Sequence, residues 1–581
     1  MPPVSHRRAA VALVVAIAAG CQSTRAPTTG LQPQSLYRHA AVATDHPLAS
    51  EAGLEMLRRG GNAVDAVVAA SFCLSVVRPY SCGIGGGGFM VVSIPARDGA
   101  DPVRVAINYR ETAPAAVGPD YYRTLGDATA SRNGHHAVGV PGTVAGLLWA
   151  LLNYGTLDRA TVLAPAIRAA EGGFAADASH VAAAGELADR LTAHPHLRSS
   201  ASFLWERLCL NGSVGVGDVV RNPDQARALR LIAEHGAEAF YGGEIAEAIA
   251  ATMEANGGPL TRSDLDAYTI SLTPPLVGTF TLGREYEILS MPPPSSGGVA
   301  MQQVLGILAR RWSDLAALAR NEPAYVHLLT ESLKHAFADR AAWLADPAYV
   351  EVPTRQLLDA AYLDRLAGSI SMQRTRDRFA YGTVEPVAEG GGTSHISAID
   401  AGGMAVACSE TVNLVYGSLV TVPGFGFVLN NQMDDFTTIR GQPNAFGLQQ
   451  SDRNLPEGGK RPLSSMSPTI VLREGRAVVI AGASGGPRII TATLQCVLDY
   501  LLFEQTPFEA VAAPRFHHQW MPDVLQFEDQ WSDEATVSAL RDLGHEVGRR
   551  DHIGIVQMIT VGDDRIRAAS DPRKGGRPAG Y

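Results

Sequence analysis

Three consecutive glycines at 390–392 lead directly into Thr393, and the segment that follows, TSHISAID, alternates polar and apolar residues. A period of two predicts a strand whose two faces meet different surroundings. More strand-like segments follow along the chain: MAVACSETVN, FGFVLNN, SPTIVLRE and RAVVIAGA. The C-terminal third is therefore predicted to form β-sheets, with Thr393 at the first position of a core strand.

The N-terminal two thirds combine helices with a few strands. From residue 46 the pattern predicts two helices separated by Gly60 and Gly61, the second apolar on most of its sides. The glycine run GIGGGGFM at 83–90 precedes a strand, whereas a phosphate loop follows a strand and opens a helix. We therefore interpret these glycines as close backbone packing. Residues from about 140 to 370 are mostly helical in pattern, so the chain as a whole is predicted to be α+β.

Composition excludes several classes of protein. The chain has 581 residues, 46% of them hydrophobic and 18% charged, as expected of a packed globular protein. The formal net charge is −10 and there is no long basic run, so we expect no nucleic-acid partner. The six cysteines form no CxxC pair, which argues against a zinc or thioredoxin-like site. Cys73 and Cys82 are either paired or buried free thiols.

The N-terminus is typical of an export signal. HRR at 6–8 is followed by the short apolar run AAVALVVAIAAG and then by Cys21. Small residues before a cysteine resemble a bacterial lipobox, in which that cysteine is lipidated, although Ala18 replaces the usual Leu. An ordinary cleaved signal and a retained anchor stay open. We expect a signal peptide at 1–21, a polar tether at 22–36, and an exported protein, periplasmic or an outer-membrane lipoprotein of a bacterium.

Thr393 has the setting of a self-processing nucleophile. A threonine hydroxyl needs a nearby base, and the α-amine of an N-terminal threonine can be that base. Its pKa of about 7.7–8.0 leaves it partly neutral at physiological pH. An internal threonine has no such amine, so the bond between Gly392 and Thr393 must first be cut. The polar segment at 373–392 is predicted to be exposed and flexible, which would allow the cut and then uncover the site.

The segment TSHIS at 393–397 resembles the signature of γ-glutamyltransferases, which are self-cleaving N-terminal nucleophile hydrolases. Further segments resemble blocks of this family in the family's order: GGNAVDA (60–66), GIGGGGFM (83–90), PGTVAG (141–146), MPPPSSGG (291–298), LNNQMDDF (429–436), KRPLSSMSPTI (460–470), APRFHHQW (513–520) and the ending DPR…GY. The resemblance implies a four-layer αββα fold made jointly by a large subunit, 37–392, and a small subunit, 393–581.

The resemblance also implies the roles of particular residues. Thr393 would be the nucleophile in cleavage and in catalysis, and Thr411 would hydrogen-bond to it and orient it. Gly485 and Gly486 would form the oxyanion hole. The substrate's amine would be bound by Asn413, Gln432 and Asp435. Its carboxylate would be bound by Arg110, Ser464 and Ser465.

The implied reaction is a ping-pong transfer without a cofactor or a metal ion. Thr393 would attack the γ-glutamyl amide of glutathione or a related compound and form an ester. Water, an amino acid or a dipeptide would then accept the γ-glutamyl group. The membrane would be involved only through the N-terminal lipid. Two alternatives stay open: an acylase that cuts glutaryl side chains of β-lactams, which the amine-binding Asp435 disfavours, and a lipid-anchored binding homologue that never matures.

Other residues suggest alternative catalytic or metal-binding sites, which we do not favour. GASGG loosely resembles a nucleophile elbow with Ser484 as the nucleophile. His517 and His518, with Asp434 and Asp435, suggest a metal site or a triad, but no metal-ligand spacing supports it. His395 is interpreted as a structural residue.

The chain departs from the family pattern at several places near the nucleophile. Ser394 replaces a second threonine, Glu410 replaces an apolar or aromatic residue, and VNLVYGS at 412–418 replaces a stretch rich in hydroxyl groups. Phe446 lies in a segment that resembles a lid loop and, having no phenolic hydroxyl, would close the pocket only by apolar contact. These changes bear on the choice of acceptor and not on the nucleophile.

Overall fold

The computed structural model describes residues 35–97, 99–127, 129–382, 392–448 and 450–581. The strands, in chain order, are β1 Ser35–Tyr37, β2 Ala41–Ala43, β3 Gly87–Ile94, β4 Val103–Tyr109, β5 Phe174–Ala175, β6 Val219–Val220, β7 Ser271–Thr273, β8 Leu276–Leu282, β9 Arg284–Ser290, β10 Gly392–Ile399, β11 Ala405–Asn413, β12 Thr469–Arg473, β13 Arg476–Ser484, β14 Phe516–His517, β15 Leu525–Glu528, β16 Val547–Arg550, β17 Ile555–Val561, β18 Ile566–Ser570 and β19 Ala579–Gly580.

The α-helices are α1 Pro47–Arg58, α2 Ala63–Val77, α3 Tyr121–Leu125, α4 Thr143–Tyr154, α5 Arg159–Gly172, α6 Ala178–Ala193, α7 Pro223–His235, α8 Ala237–Tyr241, α9 Glu244–Glu254, α10 Arg262–Asp266, α11 Gly297–Arg310, α12 Trp312–Leu315, α13 Pro323–Trp343, α14 Thr354–Leu357, α15 Ala360–Ser369, α16 Arg488–Phe503, α17 Pro507–Ala512 and α18 Glu534–Asp542. A short 3₁₀ turn at Gln432–Asp435 carries part of the site described below.

Two seven-stranded antiparallel sheets form the centre of the molecule. The first has the order β19-β2-β10-β11-β3-β4-β7, and the second has the order β1-β18-β17-β13-β12-β9-β8. They pack face to face, with β10 and β11 of the first sheet against β13 of the second. Strands from both sides of the Gly392–Thr393 bond pair within each sheet, so the two predicted subunits share one core.

The alternation of β11 shows why the sheets are covered on both faces. Val406 and Cys408 belong to the apolar core that includes α2, α4 and α5. Ala405 and Ala407 point the other way, into the core that includes the second sheet, α11, α13 and α16. Successive side chains of a strand point to opposite faces, so each sheet has one helical and one sheet neighbour. The result is the predicted four-layer αββα arrangement.

The two helices predicted from residue 46 are α1 and α2, which are separated at Gly60 and Gly61. Asn62 begins α2 with a capping box in which its side chain and that of Asp65 bond to each other's backbone N–H groups. Every residue of α2 is buried, as its uniformly apolar sequence predicts. This helix packs directly behind β10 and β11, on the opposite side from the second sheet.

The structure also bears on the N-terminus and the cysteines. The signal peptide, Cys21 and most of the tether predicted at 22–36 lie outside the described residues, whereas Ser35 and Leu36 pair with β18. Cys73 and Cys82 are buried free thiols. Within the part of the chain that the structure describes, no helix is both long enough and apolar enough to cross a membrane.

Candidate active site

The predicted nucleophile lies at the beginning of β10, in direct register with Thr411 of β11. Both side chains are buried. A register irregularity between Gly392 and Thr393 interrupts the ladder at the bond that is predicted to be cut. The antiparallel pairing therefore places the two hydroxyl groups next to each other and next to the carbonyl of Gly392.

The hydrogen bonds around this carbonyl form a directed chain. The Thr411 hydroxyl donates to the Gly392 carbonyl oxygen at 2.6 Å. Thr411 Oγ1 in turn accepts the N–H of Asn413 at 2.8 Å and lies 3.1 Å from Thr393 Oγ1. Thr393 Oγ1 also lies 2.8 Å from the Gly392 oxygen. The Thr411 hydroxyl therefore contacts both the Thr393 hydroxyl, which would attack, and the oxygen of the Gly392 carbonyl group, which would be attacked.

A buried lysine that the sequence analysis did not single out holds the other side of the nucleophile. Lys574 Nζ donates to the Thr393 carbonyl oxygen and to Ser81 Oγ, both at 2.9 Å. It also pairs with Asp45 at 2.5 Å, and Asp45 accepts the Ser394 hydroxyl at 3.0 Å. The only sequence signal was its position next to DPR in the C-terminal block.

Thr393 opens onto a pocket with an empty volume of about 310 Å³. Nine of the ten residues that the resemblance assigned to catalysis or binding line it, and the tenth, Gly485, directly precedes a lining residue. These nine are Arg110, Thr393, Thr411, Asn413, Gln432, Asp435, Ser464, Ser465 and Gly486. The structure thus brings to one place residues that span most of the chain.

Arg110 and Asp435, predicted to bind opposite ends of the substrate, form a buried ion pair through Arg110 Nη2 and Asp435 Oδ2. Gln432 Nε2 donates to the same carboxylate oxygen at 2.7 Å. Burial raises the pKa of Asp435, and the neighbouring Arg110 opposes that rise. Among the described residues, Asp435 Oδ1 has only a long contact of 3.4 Å, from Asn444, so this oxygen can still accept a hydrogen bond from a substrate ammonium group.

The two serines of the pocket are held by the turn that begins α11. The N–H of Ser296 donates to the Ser464 carbonyl oxygen at 2.7 Å, and its hydroxyl donates to the same oxygen at 2.6 Å. The Ser295 hydroxyl donates to the Met466 carbonyl oxygen at 2.7 Å. The MPPPSSGG segment therefore fixes the backbone that carries Ser464 and Ser465.

Gly485 and Gly486 lie between β13 and α16, next to the N-terminus of that helix. Their φ angles are +126° and +61°, which favours glycine at both positions. A β-carbon on Gly486 would lie 2.6 Å from the ring of Phe446. Backbone N–H groups at a helix N-terminus suit a developing oxyanion. Phe446, the residue of the predicted lid, lines the pocket and packs on this turn.

Arg340, which the sequence analysis also missed, reaches the pocket from α13. Its Nε donates to Ser296 Oγ at 3.0 Å, and its Nη2 lies 3.5 Å from Ser465 Oγ. Burial lowers its pKa to about 10, which leaves it charged at neutral pH, and Asp435 partly opposes the shift. The burial of α13 is visible only in the structure, and this helix has other charged residues, so the sequence offered no specific signal for Arg340.

Glu410, a departure from the family pattern, points away from Thr393 toward α2. Its carboxyl group is bonded to the hydroxyls of Ser71 and Tyr109, the latter at 3.1 Å. Burial raises the pKa of Glu410 to about 7, although these two bonds oppose the rise. Its neighbour Thr411 faces the pocket, since adjacent residues of a strand point to opposite sides.

The alternative catalytic residues have other partners. His395 is bonded to Ser409 at 2.7 Å, and burial lowers its pKa to about 3, which fits the predicted structural role. His517 bonds to Thr491 and Gln519, whereas His518 lies 3.2 Å from Asp523. The predicted elbow residue, Ser484, ends β13 as a buried side chain. The two histidine rings thus bond to groups other than Ser484 and form no triad with it.

A different cluster has the residue types of a metal site. Ligand atoms of His327, Glu331 and His545 lie within 4.8 Å of one another. His327 Nδ1 and His545 Nε2 are 2.7 Å apart, a hydrogen-bond distance. Glu331 accepts the Thr375 hydroxyl at 2.7 Å, and Lys334 Nζ lies 3.8 Å from it. With these bonds made and a cation adjacent, we interpret the cluster as a hydrogen-bond network.

Part of the segment predicted to be exposed and flexible is held against the protein. The N–H of Thr375 donates to the Leu543 carbonyl oxygen at 2.8 Å, and Trp520 Nε1 donates to the Arg378 carbonyl oxygen at 2.9 Å. Lys334 Nζ donates to the Thr375 hydroxyl at 2.9 Å. Residues 373–382 are therefore exposed or half-buried, as the prediction of exposure requires, but backbone groups there bond to distant elements. Residues 383–391 lie outside the described residues.

The fold and the position of Thr393 together indicate the class of protein to which the chain belongs. Two face-to-face antiparallel sheets between helical layers, with a strand that begins beside a glycine, are the fold of N-terminal nucleophile hydrolases. A family model described as Gamma-glutamyltranspeptidase matches residues 49–581. The chain belongs to the γ-glutamyltranspeptidase family.

Individual relatives agree with this assignment. A protein of Escherichia coli K12 named glutathione hydrolase proenzyme is 37% identical over 547 residues, covering 92% of this chain and 90% of that protein. A Pseudomonas protein (strain V22) named Acylase ACY 1 proenzyme is 35% identical over 92% of both chains. The solved cephalosporin acylase of Bacillus halodurans superposes with a TM-score of 0.82 at 25% identity, covering 96% of this chain and 98% of that one.

Proposed function

We propose that the protein is a self-processing γ-glutamyltransferase and glutathione hydrolase in which Thr393 is the nucleophile. The observation that carries this proposal is the Thr393 hydroxyl 2.8 Å from the Gly392 carbonyl oxygen, in a pocket lined by both an acidic and a basic side chain. The family supports the same activity, since the chain matches its model over residues 49–581. The names of several relatives also include the word proenzyme.

Maturation would begin with attack of Thr393 Oγ1 on the carbonyl carbon of Gly392. The threonine proton can pass to Thr411 Oγ1, 3.1 Å away, while the Thr411 proton passes to the Gly392 oxygen at 2.6 Å. The tetrahedral intermediate then returns a proton to the nitrogen of Thr393, and the C–N bond breaks. An ester between Gly392 and the Thr393 oxygen remains, and water hydrolyses it to a free carboxylate and a free hydroxyl.

The mature enzyme would use the new α-amine of Thr393 as its base. The amine takes the proton of the Thr393 hydroxyl as the oxygen attacks the γ-carbonyl carbon of the donor. The N–H groups of Gly485 and Gly486 would stabilise the oxyanion. The departing amine, cysteinylglycine when the donor is glutathione, carries the proton away. Water, an amino acid or a dipeptide then takes the γ-glutamyl group from the ester, and the enzyme needs no cofactor for either step.

The pocket favours a γ-glutamyl donor over a glutaryl donor. A γ-glutamyl group ends in an ammonium and a carboxylate, whereas a glutaryl group has only the carboxylate. Asp435 offers a buried carboxylate oxygen to an ammonium group, and a glutaryl group would leave that oxygen unused. The acylase names among the relatives keep glutaryl amides as the alternative donor to be assayed.

We also propose that the protein is exported and lipidated on Cys21. The support is the sequence of the N-terminus, with a charged segment, a short apolar run and small residues before the cysteine. Labelled palmitate should enter the wild-type protein and not a Cys21→Ala variant. A labelled variant, or an unlabelled wild-type protein found in the membrane fraction, would contradict the lipidation.

The function is tested by comparing purified wild-type protein with a Thr393→Ala variant. Wild type should yield two chains, the smaller beginning TSHIS, and should release the chromophore from γ-glutamyl p-nitroanilide. Thr393→Ala should stay one chain and be inactive. A wild-type protein that remains intact after prolonged incubation would favour a binding homologue, and cleavage of Thr393→Ala would exclude this threonine as the processing group.

A further inference from the structure

Lys574 brings a buried positive charge into contact with the nucleophile residue. It lies four residues after the end of β18 and is 6% exposed. Its Nζ donates to the Thr393 carbonyl oxygen and to Ser81 Oγ, both at 2.9 Å, and to Asp45 Oδ2 at 2.5 Å. These three acceptors match the three N–H bonds of an ammonium group. A neutral donor could also hold the Thr393 carbonyl group, so the charge calls for a reason of its own.

The charge lies close to the nitrogen that cleavage would convert into the α-amine. This nitrogen and the carbonyl oxygen belong to the same residue, Thr393, and standard bond lengths keep them no more than about 4 Å apart. Because Lys574 Nζ lies 2.9 Å from the oxygen, it lies within about 7 Å of the nitrogen. Salt screens buried charges only weakly, so the ammonium group of Lys574 and a protonated amine on Thr393 would repel each other.

Most of the other charged groups around the site are compensated or neutral. Burial lowers the pKa of His395 to about 3, so this ring is neutral near pH 7. Arg340 is a further cation in the pocket and acts in the same direction as Lys574. The ion pairs are Arg78 with Asp177, Arg110 with Asp435, and Arg132 with Asp434. Burial raises the pKa of four neighbouring phenols and thiols, which are therefore neutral as well: Tyr80, Tyr109, Cys82 and Cys408.

We propose that Lys574 keeps the new α-amine of Thr393 in its neutral form, so that the amine can act as a base at neutral pH. The assignment rests on the proposed function and names the residue that sets the basicity of this base. A nearby positive charge disfavours the protonated amine, so the pKa of the amine lies below its ordinary range of about 7.7–8.0. Asp45 bonds to Lys574 and to Ser394, one residue further along β10, and compensates the repulsion only in part.

Lys574 is a positioning residue in this scheme, because it contacts Thr393 and acts through it. A purely structural role makes a different prediction. If Lys574 only held the Thr393 carbonyl group in place, its loss would lower the activity by a similar factor at every pH. If it sets the basicity of the amine, its loss moves the pH at which activity appears.

The test measures the pH dependence of kcat/KM for γ-glutamyl p-nitroanilide with mature wild type and Lys574→Gln. This ratio reports ionisations of the free enzyme, and its acidic limb belongs to the base. In wild type the limb should titrate below about 7.7. Lys574→Gln removes the cation and leaves Asp45, so the limb should move up by about one pH unit. The loss should therefore be about tenfold larger at pH 6 than at pH 9.

Three variants give matched controls. Asp45→Asn keeps an acceptor for the Ser394 hydroxyl but removes the compensating charge, so the limb should move to lower pH, opposite to Lys574→Gln. Lys574→Arg keeps the charge and should keep the limb near its wild-type position. Ser81→Ala removes one partner of Lys574 without a change in charge and should not move the limb. Should Lys574→Gln fail to mature, the wild-type limb and the shift in Asp45→Asn still decide.

Two buried carboxyl groups titrate in the same range as the expected limb. Burial raises the pKa of both Glu111 and Glu410 to about 7. Glu111→Gln and Glu410→Gln should each retain an acidic limb, because the amine and not the carboxyl group produces it. Disappearance of the limb in either variant would assign it to that carboxyl group and refute the role of Lys574.

The outcomes separate this assignment from the function on which it rests. A wild-type limb at or above about 8, or the same limb in wild type, Lys574→Gln and Asp45→Asn, would refute the role of Lys574 and leave the proposed function intact. Mature wild-type protein that does not cleave γ-glutamyl p-nitroanilide would refute the proposed function and the assignment together. Shifts of opposite sign in Lys574→Gln and Asp45→Asn support both.

Discussion

Replacing Thr411 by valine removes one hydroxyl beside the bond that is to be cut and keeps the shape of the side chain. In the structure this hydroxyl donates to the Gly392 carbonyl oxygen at 2.6 Å and is the nearest relay for the proton of Thr393. As Thr393 attacks, negative charge develops on the Gly392 oxygen. The bond from Thr411 should therefore be stronger in the transition state than in the precursor, and its loss should slow the cut.

The magnitude follows from the kind of bond that is lost. A hydrogen bond to a charged group contributes about 1.5–3 kcal/mol. Since about 1.4 kcal/mol corresponds to a factor of ten in rate, Thr411→Val should mature about 10 to 150 times more slowly than wild type. Thr411→Ser, which keeps the hydroxyl, should mature within a few-fold of wild type.

The assay follows the loss of the precursor on denaturing gels and by intact mass after purification of freshly synthesised protein. The valine also leaves the N–H of Asn413 without its partner at 2.8 Å, so thermal denaturation of each precursor checks that folding is retained. If folded Thr411→Val matured at the wild-type rate, the Thr411 relay would be refuted. Equal slowing in Thr411→Ser would show that packing, rather than the hydroxyl, is what matters.

Three further changes test other parts of the site. Asp435→Asn should lower kcat/KM for γ-glutamyl p-nitroanilide about tenfold or more while sparing the glutaryl compound, and an equal loss on both would contradict an ammonium site. The folded-state pKa of Glu410 is raised to about 7 from the ordinary value of 4.5, so ionisation of this group destabilises the fold as the pH rises through that interval. In an uncut Thr393→Ala background, Glu410→Gln should therefore be more stable than the parent by up to about 3 kcal/mol at pH 8 and by little at pH 4. An equal difference in stability at both pH values would refute this. Gly486→Ala should lower kcat at least about tenfold, because its β-carbon would lie 2.6 Å from the Phe446 ring. Adding Phe446→Ala to this variant should restore part of the lost kcat. An unchanged kcat in Gly486→Ala alone would refute a tight turn.

Much of the fold was predictable from local patterns. The alternation after Thr393 predicted β10, and the uniformly apolar second helix predicted after Gly61 corresponds to the buried α2. These features depend on residues a few positions apart, so the sequence shows them directly. At 373–382 the polar composition predicted exposure, and none of these residues is buried, but it did not indicate that backbone groups there bond to Leu543 and Trp520.

The candidate site was predictable in its members but not in its arrangement. The nucleophile followed from the chemistry of a threonine after glycines together with the family resemblance, and the binding residues followed from the resemblance alone. Neither indicated that Arg110 and Asp435, 325 positions apart, would bond to each other. Neither pointed to Arg340 or Lys574, because each lies in a segment with other charged residues, and the local pattern does not show which of them reaches the site.

The sequence by itself determined the positions of several strands and helices, the apolar character of α2, and that Thr393 opens a core strand. Only the tertiary structure decided that Thr411 lies opposite Thr393, that Lys574 holds the Thr393 carbonyl group, and that Arg340 reaches the pocket. The physical reason is that periodicity constrains a residue relative to its own strand or helix, whereas register and the packing of layers set distances between residues far apart in the chain.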